Sequence, residues 1–279
     1  MQKIVLAVDA SPISLSTLEF ACYIAKLTQS SLVGVFLETI KGEESPVLKE
    51  VCGGAYVETI TAPSIPGNKA SIAAGEANIQ LFESVCSSKG VKNYVHRDTA
   101  DPEWEMVSET RFADLLIIDA KLSGQAGNGE VLPAFAKEIL SRSECPVIVA
   151  PLNFTGIDEI VFAYDGSESA TFAFKQFAYQ FPQLGDKRLT IVQVDTQEDV
   201  PVIQKEKISE LLRIHYSAIG YHHLQGKASD ELFGYLLGRK NCMVVMGAYG
   251  RRALPVYFRH STADLLIKTV NLPLFIAHH

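Results

Sequence analysis

KIVLAVDASPIS, Lys3 to Ser14, returns as EIVFAYDGSESA, Glu159 to Ala170, with Asp9 set against Asp165 at an offset of 156. Each is an apolar run that closes on Asp and a turn of small residues, the form of a buried strand leading through a loop into a helix. The next apolar run, LVGVFLE from Leu32 to Glu38, matches LTIVQVD from Leu189 to Asp195 at an offset of 157. Further along, DLLII (Asp114 to Ile118) matches CMVVM (Cys242 to Met246), and CPVIVA (Cys145 to Ala150) matches LPLFIA (Leu272 to Ala277), both at 127 or 128. Strand pairs that recur in one order predict a duplicated unit, residues 1–152 and 156–279.

Between the second strand and Tyr94, which pairs with Tyr221, the offset falls by about 28 residues, so the first copy carries an insertion, placed at about 39–70. Gly53-Gly54, Pro46, Pro63, Pro66 and Gly67 crowd this stretch with chain breakers, which predicts a long surface loop there. Amphipathic stretches separate the strands. Leu18, Ala21, Cys22 and Ala25 recur at helical spacing in copy one, and Ile208, Leu211, Leu212 and His215 in copy two. Helix starts are marked at Asp101-Pro102-Glu103 and Ser229-Asp230-Glu231. Apolar strands alternating with helices predict a parallel sheet covered on both faces, because a parallel return needs a crossover long enough to hold a helix. The fold class is therefore α/β, two tandem doubly wound parallel-sheet domains. Ligands of such sheets bind beyond the carboxyl ends of the strands, where Asp9, Asp165, Asp119 and Gly247 fall.

The segment from Val244, VVMGAYGRRALPVYFRHSTADLL, carries the anion chemistry. Gly247 and Gly250 let backbone N–H groups approach a phosphate, Arg251 supplies charge, and Ser261 and Thr262 supply hydroxyl donors at the expected start of a helix. This segment resembles the nucleotide loop of the universal stress protein family, G-x-x-G, nine residues, then Gly and Ser or Thr. Residues 251–259 give the nine-residue spacing, but His260 stands where the family has its third glycine. The resemblance spans nearly the whole chain. It implies an adenine nucleotide alpha hydrolase-like fold, an internal pseudo-dimer meeting through Pro146 to Ala150 and Pro273 to Ala277, and a site for ATP with magnesium in copy two. On that pattern Asp165 lies by the adenine and ribose, backbone around Val194 frames the adenine, and Gly247, Gly250, Ser261 and Thr262 hold phosphates. The family reading is a stress-response binding or regulatory module.

Copy one lacks each loop element, with Asp119 set against Gly247, Leu122 against Gly250, Leu132 against His260 and Pro133 against Ser261. A carboxylate at the first position repels phosphate, so no nucleotide is expected there. If His260 blocks the cradle in copy two as well, the chain is a non-nucleotide interaction or scaffold protein. Slow nucleotide hydrolysis is a third reading. No Ser-His-Asp or Cys-His arrangement can be assigned, and catalytic residues are not expected.

The remaining features point to ordinary roles. A formal charge of −7 disfavours nucleic acid and anionic membranes as partners. No apolar run reaches the roughly 18 residues of a membrane span, which with the absence of a leader pattern gives a cytoplasmic expectation. Five scattered cysteines without a C-x-x-C pair read as buried thiols. His222-His223 is not expected to bind a metal, since adjacent strand residues point to opposite faces. Trp104 reads as core or interface packing, and Asp9 as the cap of its own turn. Association of whole chains into a homo-oligomer is left open.

Overall fold

The computed structural model describes residues 2–9, 11–37, 45–51, 54–60, 66–98, 102–119, 134–197, 201–247 and 271–277. The first half runs β1 (Lys3–Val8), α1 (Leu15–Leu27), β2 (Ser31–Leu37), β3 (Ser45–Val51), β4 (Gly54–Ile60), α2 (Pro66–Lys89), β5 (Asn93–Asp98), α3 (Pro102–Thr110), β6 (Leu115–Asp119), α4 (Ala134–Arg142) and β7 (Val147–Ala150). The second runs β8 (Glu159–Tyr164), α5 (Glu168–Gln180), β9 (Arg188–Asp195), α6 (Lys205–Arg213), β10 (Ile219–Gln225), α7 (Ala228–Leu236), β11 (Cys242–Gly247) and β12 (Leu274–Ala277).

Ten strands form one sheet in the order β10-β9-β8-β11-β12-β7-β6-β1-β2-β5. Its neighbours are parallel except where β12 meets β7 antiparallel, with Phe275 opposite Ile148. Read outward from that junction, the order 7-6-1-2-5 repeats as 12-11-8-9-10, so the halves share one topology and join through their last strands. Continuing the sheet across the junction removes two exposed strand edges, which otherwise carry unpaired backbone groups. This is the internal pseudo-dimer that the family resemblance implied.

Alternation along each strand divides the apolar material between two faces. Ile4, Leu6 and Val8 of β1, with Ile160 and Phe162 of β8, enter one cluster together with α1, α2, α5 and α6. Val5, Ala7 and Val161 enter a second cluster with α3, α4 and α7. Strands buried on both faces explain why the sequence shows continuous apolar runs there instead of polar alternation. A stack of aromatic rings, Phe162 against Phe174 with centroids at 4.2 Å and Phe177 against Phe275 at 5.2 Å, ties β8 and β12 to α5. Such pairs contribute about 1 kcal/mol each beyond the area they bury.

Four expectations are corrected. The expected surface loop at 39–70 contains regular structure: β3 and β4 pair antiparallel, from Ser45 opposite Ile60 to Val51 opposite Gly54, and α2 begins at Pro66. Gly54, read as a chain breaker, opens β4 opposite Val51, while Cys52 and Gly53 lie outside the described residues. Pro46 stands near the start of its strand, where a missing N–H is tolerated, and Pro66 opens a helix, where the N–H has no partner to lose. Second, His215 lies beyond α6, and its ring packs on Tyr179 with centroids 5.4 Å apart. Third, α7 begins at Ala228 with Lys227 as its cap, so Ser229 is inside the helix and donates to Asp230. Fourth, of the two packing roles expected of Trp104 the core role is excluded, since the ring is 61% exposed on α3, which leaves the interface role.

Candidate functional site

In the second half the chain steps outward from β8 to β9 to β10, then returns to β11 on the other side of β8. The connections after β8 and β11 therefore diverge, and a crevice opens at the carboxyl ends of these strands. It is lined by Ala163, Tyr164 and Asp165 of β8 and its turn, Val192 and Val194 of β9, Ala170 of α5, Ala228 and Leu232 of α7, and Met246 and Gly247 of β11. The crevice is small, with a cavity volume of about 60 Å³, and opens to solvent. Its walls are mostly apolar side chains with Tyr164 among them, and Asp165 brings the one carboxylate among the lining residues. A mostly apolar slot with one carboxylate suits a flat, partly polar ring system better than a fully charged one.

Three expected site residues meet here: Asp165, Val194 and Gly247. Asp165 is held by its own turn. Its Oδ1 accepts from the Ser167 backbone N–H at 3.0 Å, while Gly166 adopts φ +80°, open to glycine and strained for most side chains. Ser167 then caps α5, its hydroxyl accepting from Ala170 N–H at 3.0 Å. Burial pushes the Tyr164 phenol above its ordinary value, against a hydrogen bond with Thr171 that lowers it, and neighbouring Asp165 adds to the rise. Gly250, Arg251, Ser261 and Thr262 lie outside the described residues, as do His260 and the expected helix start at Ser261.

Gly247 has a structural cause visible in its neighbours. A Cβ built there meets the start of α5, 2.7 Å from Ala170 Cα and closer still to Ala170 N and the Ser169 carbonyl carbon. Real Cβ atoms do not approach backbone so closely, so β11 ends against the first turn of α5 only because residue 247 has no side chain. Sequence reading missed the side walls, Ala163, Val192, Leu232 and Met246. They were legible in principle, since each is an inward position of an element that the periodicity already marked.

Next to the crevice, Asp195 closes β9. Its Oδ2 accepts from Gln193 Nε2 at 2.5 Å and faces His223 Nε2 at 3.2 Å, while Gln193 Oε1 accepts from Ile203 N–H at 2.9 Å. This buried glutamine fastens the chain that follows β9 to the strand. His222 instead stacks on Tyr235 of α7, with centroids at 4.9 Å, so the adjacent histidines do turn to different neighbours. Among the described residues no group of three or more His, Cys, Asp or Glu is placed to hold a metal ion.

The corresponding turn in the first half is built differently. Asp9 Oδ1 accepts from Ser11 N–H at 2.9 Å, repeating the turn of Asp165. Beside it, Asp119 at the end of β6 accepts a hydrogen bond from Thr17 Oγ1 at 2.7 Å, in the first turn of α1. A carboxylate thus stands at the amino end of α1, where the helix dipole favours negative charge.

A tandem α/β pseudo-dimer with a crevice at its topological switch point is a class of architecture with known examples. The chain is similar to a universal stress protein from Archaeoglobus fulgidus DSM 4304, with a TM-score of 0.65 and 14% identity over 98% of each chain. A functionally unknown protein from Pseudomonas aeruginosa PAO1 gives 0.56 and 15% identity, over 100% of this chain and 92% of that one. The cytoplasmic domain of a prokaryotic cation chloride cotransporter gives 0.53 and 10%, over 99% and 94%. No protein-family model matches the sequence, and no curated protein matches it. The chain therefore has the fold of the universal stress proteins, in tandem. No helix among the described residues is long and apolar enough to cross a membrane.

Proposed function

We propose that this chain is a cytoplasmic, stress-responsive tandem universal stress protein that binds an adenine nucleotide in the crevice of its second half and acts as a binding or regulatory module without turnover. The observation that carries the reading is the meeting of Asp165, Val194 and Gly247 around one open crevice at the switch point of β8 and β11. Val192, Val194 and Leu232 offer apolar faces to a purine, and the Asp165 carboxylate offers an acceptor to ribose hydroxyls. Gly250, Arg251, Ser261 and Thr262 would hold the phosphates of ATP with its magnesium. The first half holds no nucleotide, because Asp119 brings negative charge to the equivalent place.

A second reading, a scaffold that binds partner proteins and no nucleotide, is favoured by one observation. Gly247 is fully accounted for by its contact with α5, so its presence does not require a phosphate.

Calorimetric titration with ATP and magnesium separates the two. The nucleotide reading expects binding that is strengthened by His260→Gly and abolished both by Gly250→Glu and by Leu232→Trp, which fills the crevice. If neither the parent nor His260→Gly binds, the scaffold reading stands. Release of phosphate above the Gly250→Glu background would add turnover.

A further inference from the structure

Cys22 of α1 and Cys86 of α2 face each other with sulfurs 3.8 Å apart, both essentially sealed from solvent. The contact lies in a ladder between the two helices. One turn away, the Lys89 ammonium reaches the Glu19 carboxylate at 3.2 Å, so residues 19 and 22 of α1 match 89 and 86 of α2. Further along α2, the Asn78 amide accepts from Ile13 N–H and donates to the carbonyls of Asp9 and Ser11, fixing the helix to the turn before α1. The helix pair is thereby held at three levels in one register, and the two sulfurs are kept in van der Waals contact.

The other described cysteines are unlike this pair. Burial pushes the thiols of Cys145 and Cys242 each up to about 12, with no second sulfur beside them. At Cys22, by contrast, the hydrogen bond with the Cys86 thiol leads and burial opposes it, and Lys89 adds positive charge; the net result lies below the ordinary thiol value. Cys86 moves the opposite way, raised first by the same hydrogen bond and then by burial. The hydrogen bond between the two sulfurs lets one hold a proton while the other ionises.

We propose that Cys22 and Cys86 are a redox pair which hydrogen peroxide converts into a disulfide joining α1 to α2. The Cys22 thiolate attacks hydrogen peroxide: an S–O bond forms as the O–O bond breaks, and the hydroxide released takes up the proton that Cys22 gave up on ionising and leaves as water. Cys86 sulfur then attacks the sulfenic sulfur, the S–O bond breaks, and a second water leaves with the Cys86 proton. The two thiols lose two hydrogens and the peroxide is reduced to two waters. Access comes through local opening of the α1–α2 contact, so the reaction is slower than at an exposed thiol. The product closes a loop holding β2, β3, β4 and most of α2, which raises the stability of the first half.

The experiment uses the full chain carrying Cys52→Ala, treated with hydrogen peroxide, alkylated under denaturing conditions and mapped by mass spectrometry. The expected result is a Cys22–Cys86 linked peptide lighter by two hydrogen atoms, free Cys145 and Cys242, and a Tm that rises on oxidation and returns with dithiothreitol. Cys22→Ser and Cys86→Ser should each lose the link, and in Cys86→Ser the sulfenic acid at Cys22 should become trappable by dimedone. Free Cys22 and Cys86 after treatment of the folded protein would overturn the proposal. So would a disulfide that forms only in the presence of urea, or Cys22 over-oxidised while Cys86 is intact.

Discussion

The two halves solve the same junction in different ways, and the difference turns on one position. In the second half, three residues, 165–167, connect β8 to α5, and the helix starts so close to β11 that residue 247 must be glycine. In the first half, six residues, 9–14, connect β1 to α1, and the matching strand ends in Asp119 with its carboxylate on Thr17. The longer connection makes room for a side chain, and a side chain with charge then neutralises the helix end itself. The shorter one leaves bare backbone beside an open crevice. The two junctions thus differ in the length of the connection and in the residue that closes the matching strand, Gly247 in one half and Asp119 in the other.

Exchanging the two residues is the strongest way to break the comparison. Gly247→Asp places atoms inside the first turn of α5 and should lower stability by about 3 kcal/mol or more, abolishing ATP binding as well. Asp119→Gly meets no such overlap and should cost about 1–2 kcal/mol for the lost charged hydrogen bond. Urea unfolding of both variants measures the asymmetry, and equal losses would show that the loop-length account is wrong.

The turns themselves differ in how they are fastened. Buried Asn78 makes three hydrogen bonds to the turn of the first half, so Asn78→Ala should cost about 2 kcal/mol in urea unfolding. In the second half the fastening comes from Ser167, and Ser167→Ala should cost about 1 kcal/mol. Ser14 occupies the cap position of α1 without a side-chain hydrogen bond, so Ser14→Ala should change stability by less than about 0.5 kcal/mol. A larger loss at Ser14 than at Ser167 would reverse the assignment.

The smallest expected effect concerns the opposite ends of the same strands. Lys3 opens β1 and reaches Glu109 of α3 at 3.0 Å; its repeat partner Glu159 opens β8 and reaches Arg239 beyond α7 at 2.6 Å. The charges are exchanged while the tie from strand to helix end is kept. Burial pushes the Glu109 carboxyl up, but hydrogen bonds and charge from Lys3 and His96 together hold it below the usual carboxylate range. A carboxylate lowered by folding stabilises the native state fully above its unfolded pKa and loses that contribution as pH falls through the folded value. Stability should therefore decline as pH drops below roughly 4, and Glu109→Gln should flatten that part of the profile. Thermal melts across this range test it, and an unchanged slope in the variant would remove Glu109 from the acid response.

The four matched runs were legible as strands, and their order as a repeated unit, because strands buried on both faces must be continuously apolar wherever they occur. Asp9 and Asp165 were legible as turn residues because Asx capping is local. The pairing of β3 and β4 was hidden by reading Gly53-Gly54 and the prolines as breakers; Gly54 instead opens β4. Trp104 shows the limit of composition, since an aromatic side chain at a helix start carries no signal of which side of that helix faces solvent.

By itself the sequence determined the duplication and the α/β class, since each rests on local periodicity or on residues recurring at a fixed offset; the joining of the last strands came from the family resemblance. Only the tertiary structure decided which side chains wall the crevice, that Asp119 meets Thr17 across 102 residues, and that Gly247 is small because α5 lies against it. These are contacts between distant segments, fixed by how the helices settle on the sheet. No pattern within a single segment encodes them.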